Sequence, residues 1–378
     1  MKRGKNYFIK TYGCQMNRAD SLWLGKIFEE LGFAEADSLE KADVILINSC
    51  SVRQAAEDKV YGLAPRVSAC RITHPALRII LTGCMVGSAM GKRRRIKLSD
   101  LKRKMPWVDY FIPPDAVFER LPNILRNGQV SEVGDVETGH APSLQGLAKP
   151  GAVIISGGGG KEAYVPVMRG CDQFCSYCAV PYGRGPEMSR PMEEIVSEVE
   201  ELVKRGVKKV TLLGQNVNSY GPPPFAKLLR RLHEIEGLEK IWFITSNPWD
   251  FSDDLVDALT LPKIEKYLHL PVQSGDDEIL RRMNRPYTVR EYKELVGKIR
   301  KTVPEVKLGT DIIVGFPGET EEQFQHTVDL VKEVGFSGAY VAMYSPRPGT
   351  AAAKLYEDDV PREEKRRRHK IILDLVRK

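Results

Sequence analysis

The stretch Tyr164-Val165-Pro166-Val167-Met168-Arg169-Gly170-Cys171-Asp172-Gln173-Phe174-Cys175-Ser176-Tyr177-Cys178 passes from an apolar strand pattern into three cysteines within eight residues. Thiolates so closely spaced on a loop after a strand suit a soft polynuclear metal. Three ligands on a four-iron cube leave one iron without a protein ligand, open to a substrate or cofactor. A structural zinc loop would need a fourth Cys or His, and none lies close behind.

Downstream of this loop, strand and helix patterns alternate. Strands are expected at 164–168, 208–213, 241–245, 267–270, 307–314 and 338–343, and helices at 191–205, 224–235, 252–259, 288–302, 319–334 and 361–378. Six strand–helix units make an α/β barrel, complete or partial. Two turns at strand ends lie on the expected ligand face of such a barrel. Gly214-Gln215-Asn216 could offer amide and backbone oxygens to a ligand's amino group, and the glycines of Asp311-Ile312-Ile313-Val314-Gly315-Phe316-Pro317-Gly318-Glu319 could let backbone approach a nucleoside. Either turn alone reads as an ordinary turn. Asp253-Asp254, Asp276-Asp277 and Glu321-Glu322 stand at expected helix starts, where the helix dipole accounts for them.

Upstream, a shorter alternating series begins with strands at 6–12, 44–49, 78–83 and 109–113 and helices at 18–32, from about Gln54, and near 116–126. The runs Val44-Ile45-Leu46-Ile47 and Ile79-Ile80-Leu81 are continuous rather than alternating, as in parallel strands buried on both faces. Cys14, Cys50 and Cys84 follow three of these strands at intervals of 36 and 34 residues, about one βαβ unit each. Parallel strands present their C-terminal ends at one edge, so three cysteines distant in sequence can converge there. Separate burial of each as a small hydrophobe is the plain alternative, which repetition at one structural point disfavours. Cys70 falls in an expected helix and reads as a bystander. Between the series, residues 127–163 are rich in Gly, Pro and Ser, as in a linker or edge hairpin. The expected organisation is an N-terminal domain at 1–126, a linker at 127–160 and a barrel at 161–378.

The 378-residue chain carries 57 Lys and Arg against 50 Asp and Glu, a net charge of +7. The basic residues cluster at 92–104, including Arg93, Arg94 and Arg95, and at 361–378, including Arg366, Arg367 and Arg368. These are candidate phosphate contacts, although solvated helix faces explain most such runs. No apolar run is long enough to span a membrane, and the N-terminus lacks a signal-peptide core. A cytosolic location is expected, with the seven cysteines as thiols or metal ligands. None of the six histidines is arranged with a Ser or Cys as a hydrolytic site.

The spacing of Cys171, Cys175 and Cys178, with Tyr177 before the last, resembles the radical S-adenosylmethionine (SAM) signature. Thr11-Tyr12-Gly13-Cys14-Gln15-Met16-Asn17, Asn48-Ser49-Cys50-Ser51-Val52-Arg53 and Thr82-Gly83-Cys84 resemble the N-terminal domain of the methylthiotransferases. Arg184-Gly185, Ser189-Arg190-Pro191, Leu213 to Asn218, Leu270-Pro271-Val272-Gln273-Ser274-Gly275 and Arg282-Met283-Asn284-Arg285 extend the likeness over nearly the whole chain. The resemblance implies an α/β protein: a Rossmann-like parallel α/β domain, then a partial (β/α)6 radical-SAM barrel. It implies two [4Fe-4S] clusters, one on Cys171, Cys175 and Cys178 and an auxiliary one on Cys14, Cys50 and Cys84. It also implies SAM against Tyr177, Gly214, Gln215, Asn216, Gln273, Asp311, Gly315, Pro317 and Gly318.

Within that family the Cys-Gln-Met-Asn and Gly-Gln-Asn-Val-Asn segments look most like the branch that adds a methylthio group to carbon 2 of N6-isopentenyladenosine beside the anticodon in tRNA. Branches acting on threonylcarbamoyladenosine or on a ribosomal-protein side chain remain alternatives. A reductant such as flavodoxin or ferredoxin and a sulfur donor are implied as partners, with no membrane. Members usually continue into a tRNA-gripping TRAM β-barrel, and this sequence ends at Lys378 without one. A non-catalytic iron–sulfur protein that binds RNA or carries sulfur is the competing class. A cobalamin-binding N-terminal domain is disfavoured by the lack of an Asp-x-His-x-x-Gly pattern.

Overall fold

The computed structural model describes residues 5–127, 151–157 and 160–377. Most of the expected linker lies outside them. These described residues divide into two compact units, the first made of those up to Val153 with 179–185, the second of those from Ile154 to Cys178 and from Pro186 onward.

In the first unit the order is β1 (Asn6–Thr11), α1 (Gln15–Glu30), β2 (Ala34–Glu35), β3 (Val44–Ser49), α2 (Gln54–Tyr61), α3 (Ala64–Thr73), β4 (Arg78–Gly83), α4 (Cys84–Met90), α5 (Leu98–Lys104), β5 (Tyr110–Phe111) and α6 (Val117–Asn127). The five strands form one sheet in the order β2-β1-β3-β4-β5, and every pairing is parallel. β3 is buried along its whole length, as its continuous apolar sequence requires when both faces are covered. On one face Leu24, Ile27 and Phe28 of α1 pack with Val44, Leu46, Ile80 and the apolar side of α6. There the Phe28 ring stacks on Tyr7 at 4.5 Å between centroids. On the other face Ile45, Ile47, Ile79 and Leu81 meet α2 to α5, with Cys70 a buried member of that core, as the bystander reading requires. Gly32, left-handed at φ 79°, turns the chain away at the end of α1.

The second unit begins with β6 (Val153–Gly157), β7 (Gly160–Pro166) and β8 (Met168–Arg169). After α7 (Val180–Arg184), which packs in the first unit, come β9 (Met188–Ser189), α8 (Met192–Lys204), β10 (Val207–Leu213), α9 (Phe225–His233), β11 (Lys240–Phe243), α10 (Asp253–Ala258), β12 (Tyr267–His269), α11 (Asp277–Arg282), α12 (Val289–Thr302), β13 (Lys307–Val314), α13 (Glu321–Val334), β14 (Gly338–Met343), α14 (Ala351–Leu355) and α15 (Arg362–Val376). β7, β10, β11, β12, β13 and β14 are the six expected strands. They fall into two runs, β11-β10-β7-β6 and β12-β13-β14. β7, β10 and β11 are parallel to one another, as are β12, β13 and β14. A single parallel bridge, Ile241 to Ile264, lies beside the break between β11 and β12. Six parallel strands, each followed by a helix, make the expected partial barrel.

Two details refine the sequence reading. Part of the segment read as linker or edge hairpin is β6, which lies beside β7 at the edge of the sheet. The heptapeptide following Cys178, read as barrel, belongs to the first unit. The paired acids are helix starts. Asp276 caps α11 by accepting from Ile279 N at 3.0 Å, and Ser252 and Thr320 cap α10 and α13. Among the described residues no helix is long and apolar enough to cross a membrane.

Candidate active site

In the first unit, ladder register places Thr11 opposite Asn48, and Asn48 opposite Thr82. Cys14 follows that row by three residues, and Cys50 and Cys84 by two each, on the adjacent strands β1, β3 and β4. Two asparagines tie the ends together. Asn17 Nδ2 donates to Asn48 Oδ1 at 2.9 Å and to Ser49 O at 3.2 Å, and Asn48 Nδ2 donates back to Asn17 O at 2.9 Å. The Cys14 thiol reaches Asn17 Oδ1 at 3.3 Å. Gly83 lies at φ 90°, and a Cβ there would stand 2.3 Å from Ser49 O. One on Gly13 would stand 3.1 Å from Cys50 Cβ. These close approaches are why the motifs read Gly-Cys.

Buried cations frame the same edge. Arg184 of α7 donates to Asp20 of α1 at 2.6 Å, with both side chains almost wholly buried. Arg95 Nε donates to Ser88 Oγ at 3.2 Å. Its Nη2 reaches Ser51 and, at 3.5 Å, Glu57, which itself accepts from Ser51 at 2.6 Å. That network pins the turn just after Cys50. It also engages Arg95, one of the candidate phosphate contacts, inside the fold, with 2% of its side-chain surface exposed.

Burial pushes the Cys84 thiol up to about 11, against the Arg184 charge, which favours its thiolate, and with Cys50 and Cys14 raising it further. Among the described residues no three His, Cys, Asp or Glu side chains stand in metal-binding geometry. No disulfide involves any of the seven cysteines. Three thiols at adjacent strand ends, glycine-lined, with a buried cation beside them, fit an anionic iron–sulfur group.

In the second unit the Cys171–Cys178 loop is held from behind by Arg282-Met283-Asn284-Arg285, at the end of α11. Ser176 N donates to Met283 O at 2.9 Å and Ser176 Oγ to Arg282 O at 2.8 Å. Asn284 Nδ2 donates to Phe174 O at 3.1 Å, where Phe174 takes a left-handed φ of 44°. Arg285 Nη1 reaches Cys175 Sγ at 3.5 Å and its Nη2 reaches Pro271 O at 2.9 Å. The guanidinium lies over Trp249 at 4.6 Å and Tyr287 at 5.3 Å. From the other side Gln215 Oε1 accepts from Gly170 N at 2.6 Å, and Glu187 accepts from Asp172 N at 3.2 Å and Asn216 Nδ2 at 3.4 Å. Burial, with a smaller contribution from Glu187, pushes the Cys171 thiol up to about 12. Burial likewise raises Glu187.

The residues expected to meet SAM have diverse surroundings. Tyr177 packs against Ile279, Met283 and Phe316. Gly214 O accepts from Thr245 Oγ1 at 2.9 Å. Gln273, at φ 69°, bridges to β13 through Asp311 O at 2.8 Å. Asp311 Oδ1 meets His269 Nε2 at 3.1 Å. At the Gly315-Phe316-Pro317-Gly318 turn the space beside the glycines is filled, by Lys365 at Gly315 and Arg282 at Gly318. Their amides donate to Glu319 Oε2 and Asp359 Oδ1, at 2.6 Å each. Packing against these side chains thus accounts for both glycines without a nucleoside. Arg368, expected to meet phosphate, is buried on Glu319 at 2.9 Å. Arg367 pairs with Glu321 and Glu364, and Arg366 is exposed. A cavity of about 680 Å³ opens beside the cysteine loop, lined among others by Gln173, Glu187, Tyr220, Trp249 and Phe251.

Residues 165–331 match the Radical SAM superfamily, and residues 6–111 match Uncharacterized protein family UPF0004. A tRNA-2-methylthio-N(6)-dimethylallyladenosine synthase of Dehalococcoides mccartyi (strain CBDB1) is 44% identical, over 98% of this chain and 82% of the relative. One from Clostridium botulinum (strain Langeland / NCTC 10281 / Type F) is 42% identical, over 98% and 81%. Among solved structures, the radical SAM methyltransferase TsrM from Kitasatospora setae superposes with a TM-score of 0.66 at 14% identity, over 93% of this chain and 74% of that one. The cobalamin-dependent radical enzyme OxsB superposes at 0.58 and 11%, over 99% and 56%. At such identities these two speak for the fold alone. The near-full-length identity and the two matched regions agree with the motifs: this chain belongs to the methylthiotransferase family of radical SAM enzymes.

Proposed function

We propose that the chain is a tRNA methylthiotransferase that places a methylthio group on carbon 2 of N6-isopentenyladenosine beside the anticodon. The observation that carries this reading is that Cys14, Cys50 and Cys84 follow three neighbouring parallel strand ends, in a chain that also bears the Cys171–Cys178 loop. Carbon 2 has no leaving group and no acidic proton, so its substitution needs radical chemistry from a cofactor. When bound, SAM and a [4Fe-4S] cluster on Cys171, Cys175 and Cys178 would supply the 5′-deoxyadenosyl radical, and a second cluster on Cys14, Cys50 and Cys84 the sulfur.

The chain's own residues do the holding. Arg285 donates to Cys175, while Asn284 and the carbonyls of Arg282 and Met283 fix the loop between the ligands. Gln215 orients Gly170, next to Cys171. Asn17 and Asn48 hold the other set in register. The target base lies in a single-stranded loop, where splaying it out costs little. A reductant such as flavodoxin or ferredoxin, a sulfur donor and a cytoplasmic location complete the proposal.

The test is mass spectrometry after anaerobic incubation of reconstituted protein with SAM, reductant, sulfide and isopentenylated tRNA. Methylthio-isopentenyladenosine together with 5′-deoxyadenosine is expected. Deoxyadenosine alone would overturn the assigned substrate, and neither product from protein loaded with both clusters would favour the non-catalytic class. For the tRNA grip, the exposed Lys92 and Lys97 join Arg94 as candidates. Lys92→Glu with Arg94→Glu is expected to weaken tRNA binding and flatten the plot of log K against log salt by about one for each phosphate no longer neutralised. An unchanged slope would remove the segment from the interface.

A further inference from the structure

We propose that Arg184 holds anionic sulfur at the centre formed by Cys14, Cys50 and Cys84, its Nη2 donating to a ligand thiolate or a cluster sulfide. This rests on the reading that those cysteines carry an iron–sulfur cluster.

Arg184 keeps 3% of its side-chain surface exposed and its partner Asp20 keeps 6%. One carboxylate oxygen takes Nη1, whereas Nη2 makes no well-formed hydrogen bond among the described residues, although the guanidinium lies within reach of the Cys84 thiol. A buried cation with an unmade bond is costly unless something anionic completes it. The direction of that bond follows from the packing. A Cβ on Gly87 of α4 would lie 2.0 Å from Gly183 O, and one on Gly183 would lie 3.0 Å from Cys84 Cβ, so α7 rests directly on the turn that carries Cys84. Asp20 anchors the guanidinium to α1, the helix that starts straight after Cys14. The Arg184 charge is felt by Cys84 and by Cys14. Asp20 takes one nitrogen of the cation, leaving another N–H edge for sulfur beside the turn that carries Cys84.

A donor to cluster sulfur stabilises the more negative, reduced state, so it raises the reduction potential. Arginine suits the task because its planar fork serves Asp20 and sulfur from different nitrogens, which a single ammonium does less well.

The experiment uses the full chain with Cys171, Cys175 and Cys178 changed to alanine, leaving only the Cys14 set. After anaerobic reconstitution, iron per chain and the midpoint potential are measured, the latter by a redox titration followed by electron paramagnetic resonance. Asp20→Asn with Arg184→Met removes both charges together, so that no lone buried ion disturbs folding. The proposal expects iron to be retained and the potential to move to more negative values, with Arg184→Lys in between. An unchanged potential in the iron-loaded double variant would overturn it. If the double variant loses iron, recovery in Arg184→Lys supports the donor role, and failure of lysine to restore iron overturns it. A parent protein that takes up no iron would instead sink the cluster reading itself, before any Arg184 variant is made.

Discussion

Arg285→Met is expected to slow 5′-deoxyadenosine formation by about 10–100-fold while leaving iron bound by Cys171, Cys175 and Cys178. Arg285 places a permanent cation against Cys175 Sγ at 3.5 Å. A hydrogen bond to a charged group contributes about 1.5–3 kcal/mol, and each 1.4 kcal/mol is about tenfold in rate if the lost interaction matters in the transition state. Methionine keeps much of the apolar bulk between Trp249 and Tyr287 but offers sulfur no donor. Arg285→Lys restores charge without the fork that reaches Cys175 and Pro271 from separate nitrogens, so partial recovery is expected. The measurement is deoxyadenosine released per iron-loaded chain, by chromatography. A rate equal to wild type would show that the thiolate does not depend on this donor.

Arg285 has no role legible in the sequence, and the reason is physical. The Arg282–Arg285 segment is visible as a motif, yet Arg285 lies 107 residues after Cys178. Only the return of α11 to the cysteine loop gives it a role. Periodicity carries information about elements, and the strands Val44–Ser49, Arg78–Gly83 and Lys307–Val314 coincide with their expected spans. The apolar runs of the first two suit strands buried on both faces of a parallel sheet. Cysteine spacing carries information about convergence, because one βαβ unit returns the chain to the same edge. Side-chain partners distant in sequence leave no such trace.

The basic clusters show the limit from the other side. Arg95 and Arg368 look like their neighbours in sequence, and the local turn of the backbone alone sends them inward, to Ser88 and Glu57 or to Glu319. A charge run cannot distinguish a solvated face from a buried ion pair. Glycine is ambiguous in the same way. Gly83 and Gly318 both precede functional-looking residues, but one clears the path for a neighbouring strand and the other for the Arg282 side chain.

Gly83→Ala is the sharpest probe of that first case. Gly83 adopts φ 90° and ψ −163°, a region open to glycine and strained for any residue with a Cβ. The added methyl would lie 2.3 Å from Ser49 O, 2.6 Å from Asn48 Oδ1 and 2.7 Å from Ser49 N. Two of these are backbone atoms within the β3–β4 ladder and cannot rotate away. Strain of about 1–3 kcal/mol from the dihedral and about 1–3 kcal/mol from overpacking are expected together. Relief requires β4 to part from β3 at the point where Cys50 and Cys84 leave the sheet. Thermal unfolding of the first unit should therefore fall by roughly 5–20 °C, taking about 2–4 °C for each kcal/mol in a domain of this size. Iron per chain should fall by about half. Deoxyadenosine formation should persist, since Cys171, Cys175 and Cys178 stand in the other unit, while methylthio product disappears. Full iron content with normal product would mean that the β3–β4 edge is soft enough to admit the methyl, and that convergence of the three strand ends is not what holds the sulfur-bearing centre.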